Sequence, residues 1–215
     1  MSVTPSKAAL SLINNFKPSK ELTTPNKDAN CMQRTVFKHI EALHQLLVEW
    51  ITKRNSTTLP CKTITKLKGP KNVTEDCDYD EYPPELESRT TALVCALDFF
   101  TGVVERMEKI TKQLKAALKL FPSDSPVTCS WLPHMIEDEA NRMLECLQKE
   151  LQIKQIVTEN IAHTTDKSLL SLYATAWDLE AYFSVETFAY LFVEFGMSPL
   201  RNDITPQKSS PDSRH

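Results

Sequence analysis

The sequence predicts an all-α fold, an elongated and mostly antiparallel helical bundle with long, coiled-coil-like helices. Three observations carry this expectation. Glycine occurs only at 69, 102 and 196, whereas strand-rich folds and phosphate-cradling loops use it wherever the backbone turns sharply or approaches a ligand. The thirteen prolines fall mostly outside the apolar periodic segments, where they delimit helices. Apolar residues recur at alternating steps of four and three through several long segments. At 215 residues, one domain with flexible segments is expected. The boundaries read as a flexible tail over 1–27, a bundle over 28–195 with a flexible linker at 55–82, and a second tail over 196–215.

The first helix is expected from about Asp28 to Arg54, where Val36, Ile40, Leu43, Leu47 and Trp50 step by four and three. A second is expected from about Pro84 to Leu120. Leu86, Leu93, Leu97, Phe100, Val104, Met107, Leu114, Leu118 and Phe121 hold one register, interrupted only by Thr90 and Thr111. Pro83-Pro84-Glu85 is a good start, with proline in the first turn and an acid at the positive end of the dipole. Its length would be roughly 55 Å at 1.5 Å per residue. A third helix begins near Pro133 and carries Ile136, Ala140, Met143, Leu147 and Leu151. A fourth begins at Asp166, with Thr165 or Asp166 as N-cap, and breaks near Phe183-Ser184. Ser184 then caps a short helix that reaches Phe195 and ends at Gly196. Leu147, Leu151, Val157, Ile161, Leu169 and Leu172 are expected in the core.

The linker divides by charge, with Lys62, Lys66, Lys68 and Lys71 before Glu75, Asp76, Asp78, Asp80 and Glu81. The acidic half imitates a calcium loop in its spacing. Glu81 stands where that loop needs glycine, and Pro83 and Pro84 follow inside it, so calcium is rejected. The net charge of −3 gives no general attraction to nucleic acid or anionic membrane, and neither is an expected partner. No apolar run follows Met1 and no apolar stretch reaches 18 residues, so neither a secretory signal nor a spanning helix is expected. Cys31, Cys61, Cys77, Cys95, Cys129 and Cys146 never form Cys-x-x-Cys and are expected reduced. No metal or cofactor is expected.

Catalysis finds little support. His163 sits near a helix end, where an imidazole suits free carbonyls, and no nucleophile is positioned beside it in a strand-to-helix elbow. Binding fits better. Tyr173, Trp177, Tyr182, Phe183, Phe188, Tyr190, Phe192 and Phe195 concentrate rings near the C-terminus, and buried aromatics either close a bundle or anchor a partner. Phe188, Phe192 and Phe195 share one face and read as core, which leaves Tyr190 as the better contact. Arg142-Met143-Leu144 matches the docking pattern read by cyclins, but its helical setting opposes the extended form such motifs adopt.

Four Ser-Pro or Thr-Pro pairs carry a basic residue three positions after the hydroxyl residue, at Thr4, Thr24, Ser198 and Thr205. This is the consensus of cyclin-dependent kinases, and all four lie in the expected flexible ends. A phosphate there adds about two negative charges. The alternative is that proline-rich tails collect such pairs for solubility.

Lys149-Glu150-Leu151, Lys154, Val157, Ala162-His163-Thr164, Asp166, Leu169, Tyr173, Trp177 and Tyr182, with His44-Gln45-Leu46-Leu47 and Trp50 upstream, resemble the cyclin-dependent kinase 2-interacting protein family. Leu132 between Trp131 and Pro133, and Ala181 before Tyr182, depart from its pattern. The resemblance implies a non-catalytic nuclear adaptor, possible also in the cytoplasm, that binds cyclin-dependent kinase, replication and checkpoint proteins, and a AAA ATPase complex linked to replisome turnover and ribosome maturation. The alternative is a coiled-coil subunit of another multiprotein complex, for which the long seams suffice. Glu150 and Lys154 stand four apart with the acid first, so a surface pair would contribute only about 0.3–0.5 kcal/mol. That makes them candidate partner contacts, together with Trp131, His163, Trp177, Tyr182 and Tyr190.

Overall fold

A computed structural model describes residues 31–68, 84–198 and 200. Five α-helices follow in order: α1 (Cys31–Leu67), α2 (Pro84–Leu118), α3 (Pro133–Asn160), α4 (Lys167–Asp178) and α5 (Ala189–Glu194), with a 3-10 turn, Val185–Phe188, before α5. No strand occurs among the described residues, and no helix among them is long and apolar enough to cross a membrane.

The seam of α1 explains where the helix stops, and it corrects the expected linker. Val36, Ile40, Leu43, Leu47 and Trp50 are buried as expected, but the alternation continues through Arg54, Thr57, Cys61 and Ile64, all buried. Residues 55–67 are therefore helix, with Pro60 inside it. An interior proline removes one backbone donor and crowds the preceding turn. Tertiary contacts sustain the helix past it. Thr58 Oγ1 donates to Asp178 Oδ1 at 3.1 Å, and Lys62 Nζ to Asp178 Oδ2 at 2.7 Å, so α4 clamps this half of α1. The remainder of the expected linker, 69–83, lies outside the described residues, as do Asp28 to Asn30.

α2 runs between α1 and α3. At 35 residues it is about 52 Å long, which makes the bundle elongated. Its buried positions include Leu93, Ala96, Phe100, Val103, Met107, Thr111, Leu114 and Leu118. Ala96 and Val103 widen the stripe beyond the expected seam, and Leu97 is only half-buried, because α2 faces two neighbours at once. Gln33 Nε2 donates to the carbonyl of Val127 at 3.2 Å, which ties the α2–α3 connection to the start of α1. Proline opens α3 without losing a bond, since its first amides have no intrahelical acceptor.

Asp166 caps α4 as expected, its Oδ1 accepting from the amides of Ser168 at 2.7 Å and Leu169 at 3.4 Å. The helix ends at Asp178, not near Phe183, and its inward residues differ from those expected. Leu170 and Trp177 are buried, whereas Leu169 is 40% and Leu172 57% exposed. Leu147, Val157 and Ile161 are core, and Leu151 is half-buried. Ser184 occupies the expected cap position without bonding the backbone there; its hydroxyl donates to Glu186. Phe188 and Phe192 are fully buried and Phe195 nearly so. Gly196 adopts φ 72°, so the amides of Gly196 and Met197 reach the carbonyls of Val193 and Phe192 at 2.9 and 2.8 Å. The expected tail does not begin here, because Met197 packs on the core and Leu200 is buried.

Candidate functional site: a buried charge cluster

The upper end of the bundle, where α4 stops, buries four ionisable side chains. Glu180 lies two residues beyond α4, and its side chain is 2% exposed. Its Oε1 accepts from Trp50 Nε1 at 2.5 Å and its Oε2 from Arg54 Nη1 at 2.6 Å. Lys154 has no exposure. Its Nζ donates to the carbonyl of Trp177 at 3.2 Å and stands 3.9 Å from Glu180 Oε1. The rings of Trp177, Phe100 and Trp50 surround it, with centroids at 5.0, 5.2 and 5.7 Å, so ring faces supply part of the lost solvation. Trp177 Nε1 donates to Thr57 Oγ1 at 3.2 Å.

Glu150, also unexposed, faces the other side of the same turn. Its Oε1 accepts from the amides of Tyr182 and Phe183, the latter at 3.3 Å. Its Oε2 is buried with no hydrogen-bond partner among the described residues. Burial pushes the Glu150 carboxyl above its ordinary range, against the Tyr182 amide that favours the charged form. Burial likewise pulls the Lys154 ammonium below its ordinary range, against the attraction of Glu180 and Glu150.

The expected surface pair is therefore corrected. Glu150 and Lys154 stand on the seam of α3, where Ile136, Ala140, Met143, Leu147, Glu150, Lys154 and Val157 are all buried in unbroken steps of four and three. Each completes the backbone of another element. Lys154 satisfies a terminal carbonyl of α4, where a cation also suits the dipole. Glu150 takes two amides of the chain leaving α4. The cluster can hold three helices and a turn in one arrangement. It offers no reacting group to solvent. The Cys61 thiol nearby is pushed up to about 12 by burial and stays protonated. Among the described residues, no group of three or more His, Cys, Asp or Glu is placed to hold a metal ion.

The other predicted site residues do not converge. Trp177 belongs to the cluster and is fully buried. Trp131 is half-buried against the core, and His163 is exposed in the turn after α3. Tyr182 is half-exposed with Lys149 Nζ 5.6 Å from its ring, and Tyr190 is 79% exposed. Arg142 pairs with Glu139 at 2.7 Å and covers the Phe188 ring, while Met143 is core. The cyclin-docking tripeptide is thus locked in helix. Ser198 is exposed; Thr4, Thr24 and Thr205 lie outside the described residues. Sequence reasoning missed Arg54, Thr57 and Glu180. The first two could have been found by continuing the register of α1. Nothing local marks Glu180. Beside the cluster, α1 and α4 border an open groove of about 560 Å³ lined by Lys62, Thr65, Lys167, Leu170 and Leu179 among others.

No protein-family model matches the chain. Curated relatives do. The chain is 24% identical over 177 residues to the cyclin-dependent kinase 2-interacting protein of Xenopus laevis, covering 74% of this chain and 86% of that protein. It is 25% identical over 194 residues to the Homo sapiens protein of that name, covering 80% and 91%. The Bos taurus protein matches at 24% over the same length. The resemblance read from the motif residues thus extends over three quarters of the chain, at a distant and consistent level.

Proposed function

We propose that this distant relative of the cyclin-dependent kinase 2-interacting proteins is a non-catalytic interaction protein that binds a cyclin-dependent kinase. The observation that carries the reading is the sustained alignment with relatives named for such binding, over most of both chains. The packing supports it. Its most unusual polar residues, Glu150, Lys154, Arg54 and Glu180, are used up in holding the bundle together, while rings such as Tyr182 and Tyr190 remain at the surface. The finer reading follows the family resemblance alone: a nuclear adaptor that also engages replication and checkpoint proteins and a AAA ATPase complex concerned with ribosome maturation. The coiled-coil subunit is less favoured, because the stripe of α2 is covered by α1 and α3 rather than left for a partner.

The test is affinity purification of the tagged full chain from dividing cells, followed by binding of the purified chain to purified cyclin-dependent kinase 2 with its cyclin. Saturable binding that weakens with Tyr182→Ala or Tyr190→Ala supports the proposal. Recovery of cytoskeletal or vesicle proteins without kinase, and no direct binding, sinks it. Purified chain should also hydrolyse no nucleotide; hydrolysis that co-elutes with a monodisperse peak would overturn the non-catalytic reading.

A further inference from the structure

The segment after α5 holds the one Ser-Pro match whose serine is described. Gly196, at φ 72°, turns the chain after α5. Met197 packs on the core and Leu200 is only 7% exposed. Between them the carbonyl of Ser198 accepts from His44 Nε2 at 3.0 Å, and the His44 ring stands edge-on to Phe192 with centroids 4.8 Å apart. Ser198 itself is exposed. Pro199 biases it towards extended backbone, the form in which kinases take their substrates, and Arg201 supplies the basic residue three positions on.

We propose that Ser198 is a phosphorylation site for a proline-directed kinase, guarded by a strap in which Met197, the Ser198 carbonyl and Leu200 are docked. The kinase cleft must take residues on both sides of Ser198, so the His44 bond and the Leu200 contact have to open first. Ser198 Oγ then attacks the γ-phosphorus of ATP, the bond to the β-phosphate oxygen breaks, ADP leaves, and the hydroxyl proton passes to the kinase's catalytic base. The phosphate keeps the strap from redocking. It brings about two negative charges to the C-terminal end of α5, where the helix dipole is already negative and Glu194 is the last residue. Glu41, exposed one turn before His44, adds to the repulsion. The proposal does not require the stable kinase binding argued above, so either can fail alone.

The experiment incubates the purified full chain with an active cyclin-dependent kinase, its cyclin and ATP, and follows Ser198 and Thr205 by mass spectrometry. A peptide spanning 194–205, with and without Leu200→Ala, reports the kinase's own preference. Ser198 should be modified more slowly in the chain than in the peptide. Leu200→Ala and His44→Ala should each raise that rate severalfold in the chain while Thr205 is unchanged, and Leu200→Ala should not raise it in the peptide. Amides near 197–200 should exchange faster once Ser198 carries phosphate. An unmodified Ser198 in both variants, or rates equal in chain, variants and peptide, would overturn the proposal.

Discussion

Along α1, Val36, Ile40, Leu43 and Leu47 hold the same register as Arg54, Thr57, Cys61 and Ile64. Along α3, Ile136, Ala140 and Met143 hold the same register as Glu150 and Lys154. At the lower end of the bundle these positions are filled by aliphatic side chains. At the upper end they include a guanidinium, a hydroxyl, a carboxylate and an ammonium, each met by a fixed partner. The seam of the lower end is held by apolar burial, which is roughly proportional to area and tolerant of direction. The upper end depends on geometry, because an unpaired buried charge costs far more than a paired one returns.

The largest effect should follow from removing the hub of the upper end. Glu180→Ala removes the carboxylate to which Arg54 Nη1 and Trp50 Nε1 donate and which stands 3.9 Å from the Lys154 ammonium, and should cost about 3–5 kcal/mol. In the lower end Leu43→Ala should cost about 2–5 kcal/mol through lost contacts and a cavity. Urea unfolding of both variants measures these, and hydrogen exchange separates them. Glu180→Ala should expose the amides at 180–184 well below the global transition, whereas Leu43→Ala should lower protection throughout. If Glu180→Ala unfolds no more easily than an exposed substitution, the upper end is not held by its charges.

This contrast also explains what was legible in the sequence. The apolar half of each seam was, because leucine, isoleucine and valine at helical spacing announce a buried face. The same register at Arg54, Thr57, Glu150 and Lys154 reads as solvent when residue type alone is weighed, and Asn55-Ser56-Thr57-Thr58 before Pro60 reads as a loop. The partners that make burial tolerable come from 126 residues away for Arg54 and 23 for Lys154. No local pattern contains them. The cap at Asp166 and the turn at Gly196 were legible because both are settled within four residues.

A second comparison turns on pH. Because the folded Glu150 carboxyl is raised above its ordinary value of 4.5, the native chain holds that proton at a pH where the unfolded chain has lost it. Its contribution is full below 4.5 and is lost as pH rises through the folded value. Glu150→Gln keeps an acceptor for the Tyr182 and Phe183 amides and should cost about 1 kcal/mol or less near neutrality. Acidification should then favour the native protein over this variant, while Leu43→Ala should keep a constant difference from it. Unfolding free energies from pH 7 to 4.5 give the answer; a flat difference for Glu150→Gln would mean the carboxylate is solvated.

Pro60→Ala gives a smaller effect whose sign is diagnostic. In a helix interior the exchange restores a backbone donor and relieves crowding, and it should stabilise by about 1 kcal/mol or more. In a linker the same exchange loosens the unfolded chain and should destabilise by about 0.4–1 kcal/mol. A raised urea midpoint supports the helical continuation of α1 through 67, and a lowered one restores the flexible connection.

The smallest expected effect tests the rotation of α4. Leu169, Leu170 and Leu172 are close in sequence, yet only Leu170 is buried, at 2% exposure. The rotation is imposed from the two ends of the helix. Asp166 anchors the first turn through the amides of Ser168 and Leu169. Trp177 anchors the last turn, with its indole on Thr57 and its carbonyl on Lys154. With both ends set, the hundred degrees per residue of an α-helix places Leu170 inward with Trp177, two turns on, and turns Leu169 about 100° and Leu172 about 160° away from it on the same flank. Leu172→Ala should therefore change stability by less than about 0.5 kcal/mol, and Leu170→Ala should cost about 2–5 kcal/mol. Thermal and urea unfolding of the two variants side by side read the difference. A large loss at Leu172 with little at Leu170 would mean that α4 is turned the other way, and with it the Trp177 carbonyl that Lys154 is buried to meet.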